Sequence, residues 1–169
     1  EAAVLCRTVY KPGRNNRNIT ALGWSRKSLA LIAANMAGIF ARMHAKGILM
    51  GDVNPRNFLV APDCGVFFVD CDSYQFGEFP CPVRSDRYTP PEVLKEVRRS
   101  GRENYNYLRT PDHERYSMAV VLFEILMLGK SPYESRSTDS DNVLDAIAAG
   151  SFPYPFRTGE EGEEAYTNQ

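Results

Sequence analysis

Between Ser25 and Gly47 the apolar residues Leu29, Ile32, Met36, Ile39, Phe40 and Met43 recur at steps of three and four. That period predicts a long, largely buried helix, with Ser25 as its N-cap and Gly47 as its terminator. The pattern then shortens. "FLV" (58–60) and "VFFVD" (66–70) are brief apolar runs joined by "APDCG", which predicts a β-hairpin. From Cys71 to Arg87 no period holds, and a turn-rich irregular loop is expected. Residues 93–115 carry Lys95, Arg98, Arg99, Arg102, Arg109 and Arg115, read as a solvated basic helix face. "YSMAVVLFEILMLG" (116–129) is apolar nearly all round, the pattern of a buried central helix ended by Gly129 and Pro132. "SDNVLDAIAAG" (140–150) reads as one more short amphipathic helix. The predicted fold class is therefore mainly α with a small β-hairpin.

Composition sharpens this reading. A chain of 169 residues that is 43% hydrophobic can build one core. That core is assigned to residues 1–157, with an exposed loop at 11–23. Residues 158–169 hold four glutamates and little to bury, and are expected to form a mobile acidic tail. A net charge of −1 gives no global field towards nucleic acid or a membrane, and no apolar run approaches the ~18 residues of a spanning helix. The opening "EAAVLCRTVY" has no initiator Met and no leader pattern, so the chain reads as an internal piece of a longer protein. Cys6, Cys64, Cys71 and Cys81 form no C-x-x-C pair and are too sparse for a disulfide framework, which favours reduced thiols and a cytoplasmic setting over a zinc site.

One stretch asks for more than a turn. In "MGDVNPRNFLV" (50–60), Asp52 and Asn57 share a tight loop directly before a strand, and a second carboxylate, Asp70, closes the hairpin that follows. Singly, Asp52 and Asn57 are turn formers, Asp70 a strand-end carboxylate and His44 a core histidine. Together Asp52, Asn57 and Asp70 set two carboxylates and an amide at one end of a rigid hairpin, which a turn alone does not require.

A helix ending "MHAKGILMGDVNPRN", a hairpin ending "VFFVDCD", and "YTPPEV" before an apolar helix ending "GKSPY" resemble, in that order, the C-terminal lobe of a protein kinase. The stretch Met50 to Asn57 resembles the family's H-R-D-L-x-x-x-N catalytic loop, Asp70-Cys71-Asp72 its D-F-G, and Pro90-Pro91-Glu92 its A-P-E. The wording "GDVNPRNFLV", "DCDSYQ", "FPCPV" and "YTPPE" is similar to a divergent bacterial group whose members often carry a helix-hairpin-helix DNA-binding region elsewhere.

The resemblance implies a kinase-like C-lobe, one part of a two-lobed α+β fold, using ATP and Mg²⁺ on a protein or peptide substrate, with Ser/Thr as acceptor. It implies Asp52 as the group that takes or orients the hydroxyl proton, and Asn57 and Asp70 as Mg²⁺ ligands. His44 would pack, Glu92 would join an ion pair, and Glu114 would stand where the family has an Asp that holds the catalytic-loop backbone. Met50 and Gly51 replace the family's His and Arg, Asn54 its Lys, and Asp72 its Gly. Arg56 stands where tyrosine kinases place an Arg, and is the candidate replacement for the lost Lys. Neither a G-x-G-x-x-G loop nor a V-A-I-K lysine occurs, so the ATP-covering lobe is expected from outside this chain or from a partner. Nucleic acid would be met only through regions outside it, and no membrane is expected. Two alternatives stay open: a non-catalytic kinase-like binding module, and a small-molecule kinase of the aminoglycoside or choline type. With Gly51 in place of Arg, the loop from Cys71 to Arg87 is expected to lack a catalytic-loop cation for a phosphate. Its own packing, through Phe76, Phe79, Pro80, Pro82 and Tyr88, is expected to hold it.

Overall fold

A computed structural model describes residues 4–6, 24–100, 107–134 and 143–152. The predicted loop at 11–23 and the acidic tail at 158–169 lie outside the described residues. Strand β1 (Val4–Leu5) is followed by helix α1 (Arg26–His44), β2 (Ile48–Leu49), β3 (Phe58–Val60), β4 (Val66–Phe68) and β5 (Gln75–Phe76). Helices α2 (Pro91–Ser100), α3 (Pro111–Leu126) and α4 (Val143–Ala149) complete the described chain. The protein is mainly helical with two small antiparallel sheets, one ordered β1-β3-β4 and the other pairing β2 with β5.

Helix α1 begins where the sequence places it. Ser25 accepts from the Ser28 N–H and its own N–H is bonded by the Ser28 hydroxyl, a reciprocal cap. Leu29, Ile32, Ala33, Met36 and Phe40 are buried along one face, whereas Leu31 on the other is 48% exposed. The helix is thus one-sided rather than largely buried. It closes at the Ala45 cap, and Gly47 follows with φ +69°, the left-handed geometry that glycine accepts without strain.

The hairpin forms with Phe58 opposite Phe68 and Val60 opposite Val66. Phe40 of α1 meets both aromatic rings, at centroid distances of 6.0 Å to Phe58 and 4.8 Å to Phe68. The Asn35 amide adds a polar tie by donating to the Cys64 carbonyl in the hairpin turn at 2.9 Å. Phe58 and Val60 join Leu29, Ile32, Met36, Phe40, Met50 and Val53 in one buried cluster, which Val121 and Ile125 of α3 complete. A second cluster, built from Leu94, Tyr133, Val143, Ile147 and Ala148, joins α2 and α4.

Helix α3 starts earlier than its apolar run. Thr110 caps it in a reciprocal pair with His113, and Pro111 sits at its first position, where a missing N–H costs nothing. It is not buried all round: Leu126 is 45% exposed, and the most enclosed positions include the polar Glu114, Ser117 and Glu124. Leu128 and Gly129, both at positive φ, end it. Among the described residues no helix is long and apolar enough to cross a membrane, and the four cysteines are free thiols.

Candidate functional site

The site grows out of the joint between β2 and the hairpin. Met50 and Val53 are buried in the main cluster on either side of Asp52, so the chain is pinned there by its apolar residues. Asn54, itself buried, accepts from the Arg56 N–H and caps the single 3₁₀ turn Pro55–Asn57. Its amide nitrogen donates at 3.2 Å to the Asp52 carbonyl and at 3.0 Å to Asp52 Oδ2. Asn57 Nδ2 donates to the same carbonyl at 3.0 Å and approaches Oδ2 at 3.4 Å.

Two amides therefore hold one side of Asp52. The other carboxylate oxygen, Oδ1, is buried and has no hydrogen-bond partner among the described residues. Leaving such an acceptor unmet costs roughly 1–3 kcal/mol, and groups left so in folded proteins often belong to working sites.

Beneath the loop lies a buried carboxylate. Glu114 of α3 is 2% exposed, accepts the Gly51 N–H on Oε1 at 2.8 Å, and meets His44 Nε2 on Oε2 at 2.5 Å. It ties α1, α3 and the loop at one point. Its role as holder of the loop backbone, implied by the resemblance, is thus seen as geometry, and His44 packs there against Phe40 as well.

Asp70 arrives through the hairpin. The Val69 N–H donates to the Asn57 carbonyl at 3.0 Å, which extends the β3–β4 ladder by one bond and sets Asp70 immediately beyond Asn57. Asp70 takes left-handed backbone angles (φ 62°, ψ 52°) and is exposed, as is Asp72. A hydrogen bond with Asp72 is the main reason the Asp70 carboxyl titrates above its ordinary value; the charge of Asp72, slight desolvation and the charge of Asp52 add to it. Asp52, Asn57 and Asp70 are therefore brought to one end of the hairpin. Arg56 is exposed beside them, and its guanidinium has no partner among the described residues.

The donor set can be tested against a hard cation. Asn57 uses its amide nitrogen on Asp52, and its oxygen accepts no hydrogen bond among the described residues. Asp70 and Asp72 concentrate negative charge in solvent, which a divalent cation would relieve. Oxygen ligands of this kind suit Mg²⁺, which keeps most of its shell as water or phosphate oxygen. Among the described residues no group of three or more His, Cys, Asp or Glu is arranged to hold a metal unaided, so phosphate oxygens would have to complete the shell.

Three residues of this region carry no signal in the sequence patterns above. Asn54, read as a lost lysine, is the orienting amide of Asp52. Gln75, buried at 6% exposure, exchanges two hydrogen bonds with the Arg109 backbone, donating at 2.9 Å and accepting at 2.8 Å. Arg109, assigned to a solvated helix face, lies before α3 and reaches across to Gly51. The packing expected for the loop is corrected too: Phe76 is 49% exposed, Phe79 78% exposed, and Pro82 is exposed. The short strands β2 and β5 form where no alternation is long enough to announce them. Buried Cys81 and Thr89, with half-buried Tyr88 bonded to Glu124 at 2.9 Å, anchor the rest of the segment. Glu92 lies 3.8 Å from His113 in an exposed pair, a weak version of the expected ion pair.

The chain is similar to proteins named as protein kinases, which supports a kinase-like relationship. Protein kinase YegI from two Escherichia coli strains is 30% identical over 147 residues and 31% identical over 143 residues, matching 83% and 81% of this chain. A probable serine/threonine-protein kinase of Dictyostelium discoideum, irlD, is 26% identical over 129 residues, matching 73% of this chain and 8% of its own length. The chain spans about a fifth of the Escherichia coli relatives, 22% and 21% of their lengths. No family model matches it.

Proposed function

We propose that this chain is the catalytic lobe of an ATP-dependent protein kinase that phosphorylates Ser/Thr hydroxyls when an ATP-covering lobe completes the cleft. The observation that carries the reading is Asp52 Oδ1, a buried carboxylate oxygen left free while two amides fix the rest of its group, at the hairpin end shared with Asn57 and Asp70. A free acceptor on a fixed support is what positioning a nucleophile requires.

In this reading Asp52 Oδ1, enclosed in this structure, is uncovered as the acceptor docks, and the acceptor hydroxyl hydrogen-bonds to it. The hydroxyl oxygen forms a bond to the γ-phosphorus, the bond from that phosphorus to the β,γ-bridging oxygen breaks, ADP leaves, and the hydroxyl proton passes to Asp52. Asn57 Oδ1 and the Asp70 carboxylate would hold Mg²⁺, which supplies charge neutralisation on the phosphates. Arg56, free in solvent beside the loop, is the side chain available to meet the transferring phosphoryl oxygens. The names of the relatives support the reaction class, and that of the Dictyostelium relative the Ser/Thr acceptor. Free thiols at all four cysteines accord with a cytoplasmic setting.

The test is transfer of radiolabelled phosphate from ATP to casein by the full-length protein. Asp52→Asn keeps the size and the amide contacts of the site, so turnover should fall by about a thousandfold with an unchanged melting temperature. Asp70→Asn should remove the Mg²⁺ dependence along with the activity. Equal turnover in both variants and the parent would refute the reading.

A further inference from the structure

Gly51 has φ +78°, a conformation that favours glycine, and a Cβ built on it would overlap Arg109 Nη1 together with Cys81 Cβ and Sγ. A guanidinium therefore fills the space beside the catalytic loop, although it comes from residue 109. The same residue grips the segment after the hairpin three times. Its backbone exchanges two hydrogen bonds with Gln75, and Nη2 donates to the Val83 carbonyl. Cys81 Sγ lies 3.2 Å from that carbonyl, closing the corner between them. Nη1 is buried with no hydrogen-bond partner among the described residues, so it is held by packing against Gly51 and not by a charge. The Tyr107 ring lies beneath the guanidinium at 6.0 Å.

We propose that Arg109 is a positioning residue, a built-in clamp that orders residues 75–83 against the catalytic loop with no phosphate on the segment. The expectation that the loop lacks a cation beside Gly51 is thereby revised: the fold imports one and uses it on a carbonyl. The neighbouring cations are engaged elsewhere, Arg84 with Asp86 at 2.8 Å and Arg87 with Glu134 at 2.9 Å. The cavity lined by Gly51, Arg84, Ser85, Thr89 and Arg109 has a volume of about 10 Å³, room for one water and none for a phosphate group. Thr89 is buried and its hydroxyl donates to the Ser85 carbonyl, so it is not presented to another kinase. The consequence for catalysis rests on the kinase reading above.

Hydrogen exchange on the full-length protein, followed by mass spectrometry, tests the clamp without relying on activity. After phosphatase treatment, with loss of any phosphate on Ser73, Ser85 and Thr89 confirmed by mass, the amides of 75–83 should stay as protected as before. Arg109→Ala should speed their exchange by about tenfold while α1 keeps its protection. Both variants keep the backbone bonds to Gln75, and Arg109→Lys, which also retains one side-chain donor, should give an intermediate rate; if the alanine variant unfolds, this comparison decides. In the casein assay, Arg109→Ala should raise KM for casein more than it lowers kcat. Unchanged protection in both variants, or loss of protection in the parent on dephosphorylation, would overturn the proposal. A parent protein inactive on casein would count against the phosphoryl-transfer reading, while the exchange result would still decide the clamp.

Discussion

The loop 50–57 and the segment 71–83 face the same site, yet they are built in opposite ways. In the first, Met50, Val53, Asn54 and Asn57 are buried, and the Asp52 carbonyl and Arg56 N–H are tied to the fixed amides of Asn54 and Asn57. In the second, Cys71, Asp72, Phe76 and Phe79 are exposed, and the anchors include Tyr74 packed on the main cluster, the β2–β5 pair, Gln75, Cys81 and Arg109. On the proposed reading the first region must fix a nucleophile-orienting group, which a buried hydrogen-bonded loop provides. On the proposed reading the second region admits a large acceptor, and such a surface is better held at a few points and otherwise left open.

The largest expected effect lies at the root of the rigid region. Glu114→Ala would leave the Gly51 N–H unpaired and His44 without its acceptor, so about 3 kcal/mol of stability should be lost in urea unfolding. Phe79→Ser, on the open segment, should change stability by no more than about 0.5 kcal/mol. Comparable losses at the two sites would erase the contrast. Glu114→Gln sharpens it, since an amide oxygen can still accept from Gly51 and the loss should be smaller than for alanine.

Arg56→Ala probes the boundary between the regions, because this cation belongs to the rigid loop but extends into solvent. If it meets the phosphoryl group only as charge develops in transfer, turnover should fall about tenfold with little change in KM for ATP. A rise in KM alone would make Arg56 a ground-state contact, and no change would return it to the ordinary solvated surface.

The same contrast explains what could be read from the sequence. Helix α1 and the hairpin are legible because burial imposes a period, and so is the meeting of Asp52, Asn57 and Asp70 at one hairpin end, because they flank elements that the period defines. The start of α3 was also written in the chain, as Thr110-Pro111 with His113 three positions after the cap, but the longer apolar run from Tyr116 masked it. Arg109 was not legible. Nothing in a basic stretch says that one guanidinium will cross to Gly51, since that contact joins residues 58 positions apart and depends on the whole α1–α3 packing. Exposed phenylalanines misled for a related reason: an aromatic in an irregular segment has no period to say which way it faces. Hence Phe76 and Phe79 were expected to hold a loop that buried Gln75 and Cys81 hold instead.

The smallest effect concerns charge on the open side of the site. Asp70 is pushed above the ordinary carboxylate value chiefly by its hydrogen bond and charge contact with Asp72. The folded chain therefore keeps a proton on Asp70 at a pH where the unfolded chain has released it. Stability from this group is present in full below the unfolded pKa and is lost as pH rises through the raised folded one. Because Asp70 is exposed, solvent screens much of the effect, and the cleaner measure is the titration itself. In Asp72→Ala both the hydrogen bond and the charge of Asp72 are removed, so the Asp70 carboxyl resonance in metal-free protein should titrate at lower pH, nearer its ordinary value. Added Mg²⁺ should move the parent's titration in the same direction, since a cation favours the ionised form. If the substitution leaves the Asp70 midpoint where it was, Asp72 is not what raises it, and the residue in place of the family's glycine would have no electrostatic part in the site.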